Sequence, residues 1–241
     1  MVEKIKKRIL TLSELTGEIF SCPLCGREIF RSDESGLCPE CLGKLTFIGD
    51  GECIRCGRQL PDGYGVFCGE CEGIFCEQIR CVTIYDDFSK RLVLGLKAEK
   101  QVYFAEIMGD FLFGKLSTLD WKADMVTAVP TYREGKKYFN HSELIARRLC
   151  ADSGLPFSSE LLKIRKIEGQ ETRNYRQRLL NVKGVFGVNS DDFADKSVIL
   201  VDDVRTSGAT LNEAAKTLIT EGNAARVYGL TFASTSFREP A

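Results

Sequence analysis

One short run, residues 198–211, constrains the fold of this chain more than any other segment. It begins with the wholly apolar segment Val-Ile-Leu-Val, which is typical of a strand buried on both faces of a parallel sheet. Asp202 and Asp203 follow at the predicted carboxyl end of that strand, where open α/β sheets bind their ligands. A loop and a helix come next, so the run predicts one strand–loop–helix unit of an α/β fold.

The loop after the two acids carries groups that suit a phosphate. Backbone N–H groups at a helix N-terminus form an anion site, hydroxyls add donors, and a glycine allows close approach of the ligand. The predicted contacts are Arg205, Thr206, Ser207, Gly208, Ala209 and Thr210. Asp202 and Asp203 would hold ribose hydroxyls or a hard cation such as Mg²⁺. The alternative is a buried strand, an acidic turn and a capped helix without any ligand.

Four Cys-x-x-Cys pairs predict a metal-binding region near the N-terminus. Each pair can present two thiolates to one ion, and two pairs complete a tetrahedral Zn²⁺ site. Sequential pairing predicts two structural sites, one from Cys22, Cys25, Cys38 and Cys41 and one from Cys53, Cys56, Cys68 and Cys71. An interleaved arrangement, in which the first pair joins the third and the second joins the fourth, is the open alternative.

Composition and charge limit the classes of protein to which this chain can belong. The chain has 44% apolar and 28% charged residues, which is typical of a globular protein, and no apolar run approaches the roughly 18 residues of a membrane span. Without a secretory signal, we expect a cytoplasmic protein whose cysteines bind metal rather than form a disulfide knot. Residues 131–180 hold eleven Lys and Arg against six Asp and Glu, which favours a polyanionic ligand.

The composition changes after the cysteine-rich region. We expect residues 1–80 to form an N-terminal helix, over residues 2–15, and a double zinc ribbon, and residues 81–241 to form an α/β domain. Apolar periodicity predicts strands at 82–85, 125–129, 196–202 and 225–232 and helices at 88–98, 101–116, 141–152 and 210–221. Strands that alternate with helices imply a mostly parallel sheet flanked by helices.

Four residues outside the motifs receive structural interpretations. Cys76, Cys81 and Cys150 lack partners at metal-ligand spacing, so we interpret them as small apolar residues of the core. His141 is the single histidine of the chain and follows Asn140 at a predicted helix start. We therefore interpret it as a residue of the helix cap rather than as a general base.

Together, these motifs resemble the ComF family, in which a double zinc ribbon precedes a domain similar to type I phosphoribosyltransferases. The resemblance covers residues 20–235 and rests on Ala128-Val129-Pro130, Lys137-Tyr138-Phe139-Asn140, Gln170…Arg173-Asn174 and Val201 to Thr210. Two segments depart from the family pattern, because Ala128 replaces a proline and Lys137-Tyr138 replaces Arg-Gly. Lys137 keeps the positive charge but lacks a planar guanidinium, so we expect the pyrophosphate geometry to differ.

The resemblance implies binding of phosphoribosyl pyrophosphate (PRPP) with Mg²⁺. In the family, the two acids take the ribose hydroxyls and the loop that follows takes the 5′-phosphate. The implied diphosphate and anion contacts are Thr131, Arg133, Lys136, Lys137, Arg173 and Arg176, and the implied catalytic residues are Asp202, Asp203 and Arg133. Residues 163–178 resemble the flap that covers PRPP in this fold, with an exposed basic hairpin as the alternative.

Three functions are compatible with the resemblance. The first is a protein that binds PRPP or a related sugar phosphate and acts in natural competence, DNA uptake or handling of single-stranded DNA, with competence or helicase proteins as partners. The second is an active phosphoribosyltransferase with an unknown acceptor. The third is a zinc-ribbon adaptor whose second domain is a relic. The sequence leaves the oligomeric state open.

Overall fold

The computed structural model describes residues 19–30, 36–69, 71, 73–132, 139–166 and 181–237. Several predictions concern residues outside these ranges. They are the N-terminal helix, the diphosphate contacts Arg133, Lys136 and Lys137, and the flap residues Arg173 and Arg176.

The cysteine-rich region contains little regular structure. Its elements are β1 (Ile19–Ser21) and β2 (Glu28–Phe30), which form an antiparallel hairpin, and the helical turn α1 (Pro39–Gly43). Two cysteine pairs lie in tight turns, where Gly26 N–H donates to the Cys22 carbonyl and Gly57 N–H to the Cys53 carbonyl. Gly26 and Gly57 have φ angles of 72° and 66°, a left-handed conformation that glycine adopts without strain.

The second part of the chain alternates strands with helices. Its elements are β3 (Gln78–Ile84), α2 (Asp87–Lys97), α3 (Tyr103–Leu116), β4 (Met125–Ala128), α4 (His141–Ser153), β5 (Leu161–Lys163), β6 (Phe186–Val188), β7 (Ser197–Arg205), α5 (Ala209–Thr220) and β8 (Arg226–Ser234). Strands β3, β8, β7 and β4 form a parallel sheet in that order, and β5 pairs with β6 in an antiparallel hairpin. The predicted α/β class, with a mostly parallel sheet flanked by helices, is confirmed.

Helices cover both faces of the sheet. Met108 of α3 packs in the cluster that contains Ile199, and Leu218 of α5 packs in the cluster that contains Val198 and Leu200. Because successive side chains of a strand point to opposite faces, a strand covered on both sides must be apolar throughout. This packing explains the apolar run that begins at residue 198. None of the helices in the described residues has the length and apolar character that crossing a membrane requires.

The cysteine-rich region packs directly against the α/β part. Cys22 and Cys38 belong to the same buried cluster as residues of α2 and α3. In the second ribbon, a Cβ atom at Gly57 would lie 2.5 Å from the Ile79 carbonyl oxygen, and Ile79 N–H donates to the Arg55 carbonyl at 2.8 Å. The turn that carries Cys53 and Cys56 therefore contacts the backbone of β3, and only glycine fits at this point of contact.

Candidate functional site

Eight cysteines form two four-thiol clusters. The Sγ atoms within each cluster all lie within 4.8 Å of one another, and the clusters are Cys22, Cys25, Cys38 and Cys41, and Cys53, Cys56, Cys68 and Cys71. Three of the Sγ–Sγ distances are 3.6 Å for Cys25–Cys38, 3.7 Å for Cys53–Cys71 and 3.5 Å for Cys56–Cys68. Tetrahedral Zn²⁺ with Zn–S bonds of about 2.3 Å requires sulfur atoms about 3.8 Å apart, so both clusters fit zinc.

This arrangement settles the pairing of the cysteines. The clusters follow the sequential pairing, not the interleaved alternative. All eleven cysteines are free thiols, so the structure contains no disulfide knot. Protein ligands fill all four positions at each zinc site, which is typical of structural rather than catalytic zinc. Among the three remaining cysteines, Cys76 and Cys81 are buried as predicted, whereas Cys150 is half-buried.

Sequential pairing has a direct test. Cys22 and Cys38 belong to one cluster, so the double substitution Cys22→Ser/Cys38→Ser should leave one zinc ion per chain. The combination Cys22→Ser/Cys53→Ser disrupts both clusters and should remove both ions. Metal content is measured by atomic emission on the purified proteins. Loss of both ions in the first variant would support the interleaved arrangement.

The two adjacent acids lie inside β7 rather than at its end. The strand continues to Arg205, three residues beyond the predicted end at Asp202, because its backbone pairing with β8 continues to Ser234. The prediction that the acids stand at the end of the strand is therefore wrong. Asp202 is 8% exposed and Asp203 is 3% exposed.

Protein groups already hold both carboxylates. Asp202 Oδ1 accepts a hydrogen bond from Ser142 Oγ at 2.8 Å. Asp203 Oδ2 lies 2.5 Å from Lys97 Nζ and 3.5 Å from His141 Nε2. Helix α2 therefore supplies Lys97 at its C-terminus, and helix α4 supplies the other two groups from its first turn.

The N-terminus of α4 is fixed by its own cap. Asn140 is the N-cap residue, and its Oδ1 accepts a hydrogen bond from Ser142 N–H at 3.1 Å. This cap places His141 at the first position of the helix, with its imidazole directed towards Asp203. Ligand atoms of His141, Asp202 and Asp203 all lie within 4.8 Å of one another. The group can hold a cation once the Lys97 ammonium leaves Asp203.

Burial dominates the electrostatics of this group. Burial, together with the neighbouring Asp203 charge, raises the pKa of the Asp202 carboxyl to about 7. Burial lowers the pKa of His141, which therefore favours the neutral imidazole, although Asp203 opposes the shift. For Lys97, burial would lower the pKa, but the attraction of Asp203 outweighs it and the pKa rises. Burial also lowers the pKa of Lys163, which lies near Asp202.

The loop between β7 and α5 presents a helix N-terminus. Gly208 is the N-cap residue of α5, with φ of 77° and no capping side chain of its own. Ser207 Oγ accepts a hydrogen bond from Ala209 N–H at 3.3 Å, and Thr206 is exposed. The helix begins at Ala209, one residue before the predicted start. Its partial positive charge and the nearby hydroxyls favour an anion at this position.

A buried cation lies directly beneath this loop. Arg205 is 4% exposed, and its Nε and Nη1 atoms have no hydrogen-bond partner among the described residues. A Cβ atom at Gly208 would lie 3.4 Å from Arg205 Nε, so the guanidinium backs the loop instead of reaching solvent. Its positive charge adds to that of the helix N-terminus.

A cavity of about 180 Å³ opens at the carboxyl end of β4, and neither Asp202 nor Asp203 is part of its wall. Thr131, Tyr132 and Phe157 form part of its wall, together with Asn140 and Glu143 from the start of α4 and Lys163 from β5. Asn140 and Glu143 flank Ser142, which bonds Asp202. The cavity is therefore a neighbour of the acid pair, and Thr131 is the one predicted diphosphate contact within the described residues.

Sequence reasoning missed two residues of this group. Lys97 lies at the end of an amphipathic helix and Ser142 in the first turn of another, and neither belongs to a motif. Their roles follow from the packing of α2 and α4 at the carboxyl edge of the sheet. No local sequence signal could have linked them to the two acids.

The raised pKa of Asp202 predicts how stability depends on pH. Its carboxyl ionises near 3.8 when unfolded and near 7 when folded, so the folded state binds more protons between these values and loses stability as pH rises through them. Asp202→Asn keeps an oxygen for Ser142 but cannot ionise. We expect its free energy of unfolding, relative to wild type, to rise by roughly 2–4 kcal/mol between pH 4 and pH 8.

Urea unfolding across this pH range measures the difference. Asp120→Asn, an exposed substitution that precedes β4 at the opposite edge of the sheet, is the control and should show a flat difference from wild type. A flat difference for Asp202→Asn as well would contradict the raised pKa.

Comparison with known proteins gives three related findings. Residues 20–72 match the family described as Double zinc ribbon domain. The chain is 29% identical over 228 residues to Competence protein ComFC of Bacillus subtilis, which covers 88% of this chain and 90% of that protein. It is 24% identical over 209 residues to Competence protein F of Haemophilus influenzae, which covers 75% of this chain and 90% of that protein.

One similar solved structure is adenine phosphoribosyltransferase from Leishmania tarentolae. It has 15% sequence identity and a TM-score of 0.30, and the match covers 56% of this chain and 73% of that one. At this score, the likeness carries no argument about the site.

Proposed function

The chain belongs to the ComF family, and on this premise we propose that it binds PRPP, or a related sugar phosphate, and acts in DNA uptake. The sugar phosphate would bind at the carboxyl edge of the parallel sheet, with Mg²⁺ bound alongside it. The observation that carries this proposal is the N-terminus of α5. Its N-cap residue, Gly208, has no side chain that could cap the helix, and the buried guanidinium of Arg205 lies behind it.

The 5′-phosphate is assigned to this loop. Backbone N–H groups at the start of α5 and the hydroxyls of Thr206, Ser207 and Thr210 supply donors. The sequence pattern suggested a direct contact from Arg205, but its burial supports an indirect one, in which the guanidinium adds positive potential beneath the loop. A dianionic phosphate is the ligand that this potential favours.

The ribose is assigned to Asp203. In the structure, Lys97 occupies this carboxylate, so the ribose hydroxyls must replace the ammonium when the ligand binds. The Lys97 side chain is 37% exposed and therefore has room to move. Once displaced from Asp203, the Lys97 ammonium can pair with the diphosphate. Ligand binding then exchanges one ion pair for another and does not leave a buried charge without a partner.

The role in DNA uptake comes from the relatives. Two of the similar proteins are named as competence proteins, and they align over most of their lengths. The excess of basic residues at 131–180 supports single-stranded DNA as a ligand. Competence or helicase proteins remain the predicted partners, and the cytoplasmic location remains a prediction.

Phosphoribosyl transfer is a second candidate function, which the cavity beside the acids favours. An acceptor in the cavity would contact Lys163, which lies near Asp202, and the raised pKa of Asp202, about 7, allows this carboxyl to take up or release a proton near neutral pH. The transfer itself would break the bond between the anomeric carbon and pyrophosphate and form a bond to the acceptor.

Calorimetric titration of PRPP with Mg²⁺ into the zinc-loaded protein tests the proposal. We expect saturable binding, which Asp203→Asn weakens about tenfold or more because the ribose hydroxyls lose a charged acceptor. Asp120→Asn should bind as wild type does. Absence of heat in the wild-type titration would contradict PRPP binding and would favour a zinc-ribbon adaptor whose second domain is a relic. Release of pyrophosphate in the presence of nucleobases would identify a transferase.

Binding of labelled single-stranded DNA tests the second half of the proposal. We expect binding at about 50 mM salt that weakens steeply as salt increases, because basic side chains release counterions from the backbone. A duplex of the same sequence serves as the comparison. Absence of single-strand binding at low salt would contradict a direct role in handling DNA.

A further inference from the structure

The size of the cavity at the carboxyl end of β4 limits what it can hold. Its volume is about 180 Å³. A cavity of about 150 Å³ accommodates benzene, so a single six-membered ring with one small substituent fits here, whereas a fused pair of rings does not. The first restriction on a ligand is therefore that it is monocyclic.

Much of the cavity wall is apolar. Ala128 and Leu161 line it from β4 and β5, and Tyr132 and Phe157 add two aromatic rings. The Phe157 ring is held in place, because the guanidinium carbon of Arg147 lies 4.5 Å from its centroid. Binding sites for small molecules combine apolar and aromatic walls of this kind with a few polar groups. A flat, apolar ring is the body of a ligand that this wall favours.

The charged groups of the wall favour an anion. Two charged residues line the cavity, Glu143 and Lys163. Glu143 already has a partner, because its Oε1 accepts a hydrogen bond from Arg147 Nε at 2.9 Å and lies 2.8 Å from Arg147 Nη2. Lys163, Arg147 and Glu143 together therefore leave a net positive charge at the cavity.

The surroundings of Lys163 point to the same kind of ligand. The side chain is half-buried, and burial lowers the pKa of its ammonium. An anion in the cavity would offset this cost of burial. The nearby Asp202 carboxyl does so only partly, because its pKa of about 7 makes it increasingly neutral below pH 7.

We propose that this cavity binds a monocyclic aromatic carboxylate, whose ring lies against Phe157 and Tyr132 and whose carboxylate pairs with the Lys163 ammonium. Thr131 also lines the cavity, and it is the predicted diphosphate contact. The carboxylate ligand is therefore a candidate for the phosphoribosyl acceptor. That identification as an acceptor rests on the proposed function, whereas the binding itself requires no PRPP.

Titration of the zinc-loaded wild-type chain with benzoate tests the site, with backbone amide shifts followed by NMR. We expect saturable binding with a Kd of about 10 mM or tighter, which the usual ligand efficiency implies for about nine non-hydrogen atoms. The largest shifts should fall at residues 127–132 and 157–164, which line the cavity. Absence of saturable binding, or largest shifts elsewhere, would overturn the proposal.

Two further probes test charge and size in the same wild-type protein, so they do not depend on the folding of a variant. Benzamide has the shape of benzoate without its charge and should bind about tenfold more weakly, because it loses a hydrogen bond between charged groups. The fused rings of 1-naphthoate should prevent it from saturating the site. Binding of benzamide as tight as that of benzoate, or tight binding of 1-naphthoate, would refute the proposed ligand class.

Substitution of Lys163 assigns the charge recognition to a residue. Lys163→Met should weaken benzoate binding about tenfold and leave benzamide binding unchanged, a difference that a general loss of structure would not produce. Lys163→Arg keeps the charge and should bind benzoate nearly as wild type does. Lys122→Met replaces an exposed lysine that precedes β4 at the opposite edge of the sheet, and it is the matched control. Equal benzoate affinity in Lys163→Met and wild type would show that Lys163 does not hold the carboxylate.

The outcomes separate this site from the proposed sugar-phosphate site. If benzoate binds as expected and PRPP does not bind, the cavity keeps its ligand class but is not an acceptor site. If PRPP binds and benzoate does not, the proposed function stands and the assignment of the cavity is wrong.

Discussion

Backbone pairing between β7 and β8 continues to Arg205 and Ser234, and the rest of the site depends on this extension. It keeps both acids inside the sheet, where α2 and α4 cover them, instead of in a loop that solvent surrounds. It also buries the Arg205 side chain immediately before the chain turns into α5. The loop therefore begins over a fixed cation, and its conformation is tied to the sheet.

Buried charges at this edge are each compensated in a different way. Asp203 has the Lys97 ammonium, whereas Asp202 receives a hydroxyl hydrogen bond and a raised pKa that allows it to stay neutral. Breaking a buried pair without replacing the partner is costly, which restricts what can bind here. A ligand must bring hydroxyls for Asp203 and negative charge for Lys97, and a sugar diphosphate provides both.

Features that local sequence determines were predictable, and features that depend on distant segments were not. The spacing of each Cys-x-x-Cys pair identifies the zinc ligands, but four equivalent pairs do not reveal which pairs join. The apolar run from residue 198 predicts a buried strand, but its end at Arg205 depends on the length of β8, which lies later in the chain. Lys97 reaches Asp203 because α2 packs at the carboxyl edge of the sheet, and no motif encodes that packing.

The change in composition near residue 80 separates the cysteine-rich region from the α/β part, but the two parts contact each other across it. The turn at Gly57 contacts Ile79 so closely that a side chain would not fit, and Phe237 at the other end of the described chain packs on the same ribbon. The second ribbon thus contacts the α/β part at the edge strand β3 and at the segment after the neighbouring strand β8.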